Sequence, residues 1–254
     1  MYICINCTNL GYTVKQTEKM LFKYLGHSFG SADTTIHANF YIFYMTTLVF
    51  MRHGETEWNR MGRQSSRTDI SIDERGAAEV RAVAPALESF ASAFFVSSPL
   101  NRAKETAAIV AAILGIENAH TWESLREIDA GVFEGETHTS ALQGPYAQDY
   151  LNWRDPSSGN VGAPLGETWS EVDERARNVL ESLEKQDRDA LVVGHGCFIR
   201  AILAHAVIGL PSQNLRRFRL DNASFMVLSK TSSNWVVTGC NVRAIPQLPL
   251  TSKT

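Results

Sequence analysis

Cysteine is scarce in this 254-residue chain: Cys4, Cys7, Cys197 and Cys240 are too few for a disulfide framework at this length. That excludes a disulfide-stapled secreted scaffold and points to a reducing compartment, with the cytoplasm as the expected location. Cys4 and Cys7 form a CxxC, but no second ligand pair follows at zinc-finger spacing, so the sequence supports neither a zinc site nor a redox pair there. Basic excess is lacking too. A formal net charge of -3 argues against nucleic acid as a partner, although a local cluster of positive charge can still hold a small phosphate. No apolar run is long enough to span a membrane, and the N-terminus has no basic region leading into an apolar core. Internal repeats and low-complexity tracts are absent. What remains, 44% apolar and 20% charged residues, is ordinary globular composition with enough apolar material for a sizeable core.

Residues 1–44 show no sustained period of 2 or 3.6 and read as an extension, poorly ordered or upstream of the natural start, since Met45 directly precedes the first strong strand signal. A domain is expected over 45–245, followed by a tail over 246–254. Within it, Leu48-Val49-Phe50-Met51 reads as a buried strand ending at Arg52-His53-Gly54. Ser71 with Glu74 fits a capping box for a helix through Val80, Ala84 and Leu87, with Pro85 as a kink. The strand Phe94-Phe95-Val96 follows, then a helix opened by Ser98-Pro99 and closed by Gly115, with Arg102 in its first turn. Residues 131–167 are rich in glycine, proline and polar groups and read as an excursion over the sheet with at most short helical pieces. Thr168 with Glu171 caps a helix through Val172, Ala176, Val179 and Leu183, leading to the strand Ala190-Leu191-Val192-Val193 and to Gly194-His195-Gly196. An apolar helix through Leu203 follows, then strands near Phe218-Leu220, Phe225-Leu228 and Trp235-Val237. Alternating strands and helices predict a three-layer α/β/α sandwich with a mostly parallel central sheet.

His53 and His195 each follow a short apolar strand, where ligands bind in open α/β sheets. Each adjoins a glycine, and the helix after His195 aims free N–H groups and a positive dipole end at an anion. Arg52 and Arg102 fall at the same expected sheet edge, where each guanidinium can grip phosphate oxygens through paired hydrogen bonds. Any one of these residues alone reads more simply as a surface arginine or a satisfied histidine; four at strand ends point to a phosphate site.

The segment from Leu48 through Arg52-His53-Gly54-Glu55-Thr56-Glu57-Trp58-Asn59 closely resembles the signature of the histidine phosphatase superfamily, which includes the cofactor-dependent phosphoglycerate mutases. The resemblance continues through Ser97-Ser98-Pro99-Leu100-Asn101-Arg102-Ala103, Leu125-Arg126-Glu127 with Gly131, Phe133, Glu134 and Gly135, and Val193-Gly194-His195-Gly196, over roughly residues 47 to 240. It implies that His53 is the nucleophile that carries a phosphohistidine. It further implies that Arg52, Arg102 and His195 hold the transferring phosphoryl group, with Asn59 and Gly196 as further phosphate contacts. Glu127 matches the family's proton donor, which later draws a proton from the attacking water. No metal and no cofactor are required by that scheme, and the partner is a small phosphorylated substrate; a homodimer is the expected assembly. One departure stands out: Gln64-Ser65-Ser66-Arg67-Thr68-Asp69 replaces the usual glutamine-glycine pair, which puts phosphate contacts from that loop in doubt.

Phosphatase and mutase part only at the acceptor, water or a second hydroxyl. Residues 136–166 contain Arg154 as their only lysine or arginine, whereas mutases of this family carry a longer, more basic insertion there, so hydrolysis is favoured. A phosphate-binding regulatory protein without catalysis is the reading from another class, and the intact set Arg52, His53, Arg102, Glu127 and His195 weighs against it. A metal hydrolase is disfavoured by arginines beside the would-be ligands and by the absence of GxxxxGK or HExxH motifs. His205, Trp58, Trp153 and Trp169 are expected to serve packing.

Overall fold

The structure is a computed structural model that describes residues 46–116, 119–155, 158–207, 218–231 and 234–243. The readings made for the extension 1–44, for Cys4 and Cys7, and for the tail 246–254 lie outside these residues.

Six strands form one sheet: β1 (Thr47–Arg52), β2 (Phe94–Ser97), β3 (His120–Thr121), β4 (Ala190–Gly194), β5 (Phe225–Lys230) and β6 (Trp235–Val242), in the spatial order β3-β2-β4-β1-β5-β6. The pairs β1/β4, β2/β4 and β2/β3 are parallel, whereas β5 and β6 close the β1 edge as an antiparallel pair. β1 is apolar on both faces because both faces are covered. Leu48 and Phe50 belong to one core with α6 (Trp169–Glu184) and α7 (Gly196–Ala206); Val49 and Met51 belong to a second core with α2 (Glu74–Val83) and α3 (Asn101–Leu114). Each such buried side chain contributes about 1.5–3 kcal/mol, so the four inner residues of β1 hold its register far more firmly than its end residues do. This is the expected three-layer α/β/α sandwich.

Local chemistry accounts for the element ends. Thr168 and Glu171 form the anticipated capping box at the start of α6, and Gly115 ends α3 in the left-handed conformation. At Pro85, α2 gives way to a 3₁₀ segment, Ala84–Phe90. Three expectations need correction. Asp73, not Ser71, caps α2, because its carboxylate accepts from Gly76 N at 2.8 Å while the Ile72 N–H is taken by Glu105 at 2.9 Å. Ser98 does not cap α3; Leu100 occupies the N-cap position, and Asp69 accepts the Asn101 N–H at 2.6 Å from outside the helix. No strand forms near Phe218-Leu220, where the backbone instead turns through Asp221 and Asn222 toward His53.

The excursion between Gly131 and Glu167 holds α4 (His138–Gln143) and α5 (Ala147–Arg154). Phe133 stacks on Trp153 at 5.6 Å between ring centroids and meets Tyr150 edge-on at 5.0 Å, so these aromatics join the core. Trp153 and Trp169 are buried, as their packing role requires, whereas His205 is exposed in the last turn of α7 rather than packed in the core. Among the described residues no helix is long and apolar enough to cross a membrane.

Candidate active site

The strand register creates the site. Arg52 at the end of β1 pairs with Gly194 at the end of β4, so His53 and His195 leave the sheet side by side, their ring centroids 5.3 Å apart. Ser97 in β2 lies opposite Val193, which delivers Ser98 to the same edge.

His53 is held on all sides. Its N–H donates to Gly194 O at 3.0 Å, and its carbonyl accepts from Ala223 N at 3.1 Å and from Asn222 Nδ2 at 3.2 Å. Nδ1 lies 2.7 Å from Gly54 O. A carbonyl only accepts, so Nδ1 carries the hydrogen and Nε2 keeps its lone pair. Burial, reinforced by the charges of Arg52 and then Arg102, holds the His53 pKa well below the ordinary 6.5, so the ring is neutral at physiological pH. Burial does the same to His195, followed by the effects of Arg102, His53 and Arg52. His195 Nε2 lies 2.7 Å from Ser98 Oγ, while its Nδ1 is buried with no hydrogen-bond partner among the described residues. The Leu100 N–H donates to Ser98 Oγ at 3.4 Å, and the hydroxyl keeps both a hydrogen and a second lone pair to offer His195 Nε2; an anion against Nδ1 requires the tautomer with the ring hydrogen on Nδ1.

The two arginines are anchored by backbone carbonyls. Arg102, fully buried, donates Nη1 to Thr68 O at 2.8 Å and Nη2 to Ser66 O at 2.7 Å; Arg52 donates Nη1 to Leu220 O at 2.9 Å. Among the described residues neither Nε, both buried, has a hydrogen-bond partner, and the same holds for the Nε of Arg200, whose charge adjoins Arg52. Gly196 allows this crowding: a Cβ there would meet Arg52 Nε at 3.0 Å and Arg200 Nη2 at 3.3 Å. Glycine therefore brings the positive N-terminus of α7 against the guanidinium groups. The Asn59 Oδ1 accepts from Thr56 N at 3.2 Å, Thr56 Oγ1 at 3.1 Å and Asn222 Nδ2 at 2.9 Å, so the Nδ2 end of its amide is the one left to donate.

Glu127 is 5% exposed. Its carboxylate accepts from the N–H groups of Ile128 at 2.9 Å, Phe198 at 2.8 Å and Cys197 at 3.0 Å, and so sits at the start of α7. The unusual 64–69 loop works through its main chain. Glu134 gathers the N–H groups of Ser66, Arg67 and Thr68 at 3.0–3.1 Å, and the carbonyls thus oriented are those that hold Arg102. Burial pushes the Glu134 carboxyl up, but a hydrogen bond from the Thr68 side chain together with these N–H bonds outweighs it and leaves the pKa below the ordinary value. Ser66 Oγ adds a bond to Ile128 O at 2.7 Å.

The structure thus brings together Arg52, His53, Asn59, Arg102, Glu127, His195 and Gly196. Three supporting residues escaped the sequence reading. Ser98 had been assigned to a cap. Asn222 carried only a turn signal. Thr106, which accepts from Gly54 N at 3.0 Å and donates to Arg102 O at 2.7 Å, could have been flagged only by its place one helical turn after Arg102.

Neutral imidazole, the buried Arg102 guanidinium, the half-buried Arg52 guanidinium and a helix N-terminus at the carboxyl edge of a doubly covered sheet make a pocket chemically suited to an anion, built around a free histidine nitrogen. The family model of the histidine phosphatase superfamily (branch 1) matches residues 48–243, and the chain belongs to that superfamily. It is 30% identical over 197 residues to the probable phosphoglycerate mutase GpmB of Serratia proteamaculans, covering 77% of this chain and 90% of the relative. Among solved structures, mycobacterial glucosyl-3-phosphoglycerate phosphatase in complex with VO3 is 28% identical with a TM-score of 0.66, over 78% of this chain and 99% of that one. Phosphoserine phosphatase from Entamoeba histolytica in complex with 3-phosphoglyceric acid is also 28% identical with a TM-score of 0.66, over 78% and 97%.

Proposed function

We propose that this chain is a phosphomonoester hydrolase that needs no metal and works through a phosphohistidine on His53, with a small phosphorylated metabolite as substrate. The observation that carries the reading is a set of buried nitrogens with no hydrogen-bond partner among the described residues: Arg52 Nε and Arg102 Nε, with His195 Nδ1 as a third donor in the tautomer whose Nε2 accepts from Ser98, all around a histidine whose Nε2 is free. Buried donors are seldom left unpaired, and an anion with several acceptor oxygens satisfies all three.

In the first half-reaction the Nε2 lone pair attacks phosphorus, the bond to the leaving oxygen breaks, and a protonated Glu127 supplies the proton to that oxygen. In the second, Glu127 as carboxylate takes a proton from water as its oxygen attacks the phosphohistidine, and inorganic phosphate leaves. Charge stabilisation comes from Arg52, Arg102 and His195. Among the described residues no group of three or more His, Cys, Asp or Glu side chains is placed to hold a metal ion.

The alternative acceptor is a second hydroxyl, as the names of the mutase relatives suggest. Hydrolysis is supported by the excursion, where Arg154 is the only lysine or arginine in 136–166 and lies 5.1 Å over the Tyr150 ring. Purified protein with a chelator should release phosphate from members of a phosphomonoester panel that includes phosphoserine and 3-phosphoglycerate. Interconversion of phosphoglycerates without net phosphate release would instead establish the mutase, and activity lost on chelation would end the metal-free scheme.

Ser98 gives a finer test. Ser98→Ala removes the hydroxyl that holds His195 Nε2, at a cost of about 1–3 kcal/mol, or roughly fivefold to 150-fold in kcat/KM. Melting should stay near that of the wild type; unchanged kinetics would show that Ser98 does not orient His195.

A further inference from the structure

Arg175 lies on α6, 48 positions beyond Glu127 in sequence, and is half-buried with only 16% of its side chain exposed. Its guanidinium is fully employed. Nε and Nη2 are gripped by the two carboxylate oxygens of Glu167 at 2.8 and 2.7 Å. Nη1 donates to Ser124 O at 3.0 Å and to Arg126 O at 2.8 Å, the carbonyls that precede Glu127 in the same turn. The face of the guanidinium covers the Phe198 ring, with Cζ 3.7 Å from its centroid, and the Phe198 N–H is one of the donors to Glu127. Glu167 reaches past Glu127 on its other side. Its Oε2 accepts from Asp129 N at 2.7 Å and its own N–H donates to Asp129 O at 3.1 Å. The Arg175/Glu167 pair therefore brackets residues 124–129 from both ends and presses on the helix turn that receives the Glu127 carboxylate.

We propose that Arg175, gripped by Glu167, is the positioning residue for Glu127, setting where its carboxyl meets the leaving-group oxygen. The inference rests on the reading of Glu127 as proton donor. A fork of planar donors is needed because one side chain must serve Glu167 and two carbonyls at once, while its flat face packs on an aromatic ring. Lysine retains the charge and can reach one or two of these acceptors, but it has neither the fork nor the flat face.

The test compares Glu127→Ala, Arg175→Lys and the double variant Glu167→Gln/Arg175→Met, which removes both charges of the half-buried pair together. The substrates are p-nitrophenyl phosphate, whose leaving group departs without a proton, and the alkyl monoester that the wild type turns over fastest. Thermal melting of each variant accompanies the kinetics. Glu127→Ala is expected to slow the alkyl ester by about 10²–10⁴-fold, and the two Arg175 variants by about ten- to a hundred-fold, with KM changed little. The first-turnover burst of p-nitrophenolate should stay within about threefold of wild type in all three. If Glu127→Ala shows this leaving-group dependence and the folded Arg175 variants lose both substrates equally, or lose neither, Arg175 is merely structural and the proposal falls. If Glu127→Ala itself shows no such dependence, the reading of Glu127 as proton donor fails and the role of Arg175 goes with it.

Discussion

His53→Ala is expected to lower kcat for every phosphomonoester by about 10⁴-fold or more, because the group that takes the phosphoryl is gone and water must attack the ester directly. The rest of the pocket does not depend on that ring: Arg102 hangs from Ser66 and Thr68, Arg52 from Leu220, and His195 from Ser98. The variant should therefore still bind inorganic phosphate, which separates lost chemistry from a collapsed site. Wild-type protein quenched during turnover should carry protein-bound phosphate that is labile in acid and stable in alkali, and His53→Ala should carry none. A variant retaining more than about a hundredth of the activity would rule out the covalent route.

The second large effect is on stability. His53 and His195 are held well below the ordinary imidazole pKa of 6.5, chiefly by burial. Above that value the folded and unfolded chains both keep these rings neutral, and no difference arises. As pH falls below it, the unfolded chain takes up protons that the native protein cannot accept without charging a buried ring beside Arg52 and Arg102. Native stability should then fall with pH, by up to about 1.4 kcal/mol per pH unit for each histidine, or about 2.7 for the pair, until the depressed native pKa values are reached. Urea unfolding between about pH 7.5 and pH 5 measures this slope, and a single His53→Asn or His195→Asn change should remove about half of it. A flat profile across that interval would mean that the two rings titrate normally. The same depression keeps the His53 nucleophile in its neutral form below pH 6.5, so kcat/KM should show no acid limb from this ring near neutrality.

Much of this fold could be read from residue pattern, and the reasons are local. β1 is a four-residue apolar run that only a doubly covered strand can use, and the α6 capping box needs nothing beyond Thr168 and Glu171. Misreadings occurred where a side chain had a distant partner. Ser98 before Pro99 has the composition of a helix cap, but its hydroxyl bonds a histidine 97 positions away. Leu220 and its neighbours have strand-forming residues, but the Leu220 carbonyl is taken by Arg52, 168 positions away. Nor does sequence pattern show that the 64–69 loop holds Arg102, because it does so through main-chain carbonyls that almost any residue could present.

The sequence by itself determined the chemical types on hand, two histidines and two arginines at strand ends or helix starts with one glutamate between, because short-range rules place strand ends, caps and glycine turns. Tertiary structure decided which atoms of those residues are free. The register of Arg52 against Gly194 set the histidines side by side, Gly54 O assigned the His53 ring proton, Ser98 Oγ anchored the His195 ring, and carbonyls from remote loops took one set of guanidinium donors while leaving others bare. Hydrogen-bond partners separated by 34 to 168 residues leave no periodic trace in a sequence, so the state of the site, unlike its membership, emerges only when the chain is packed.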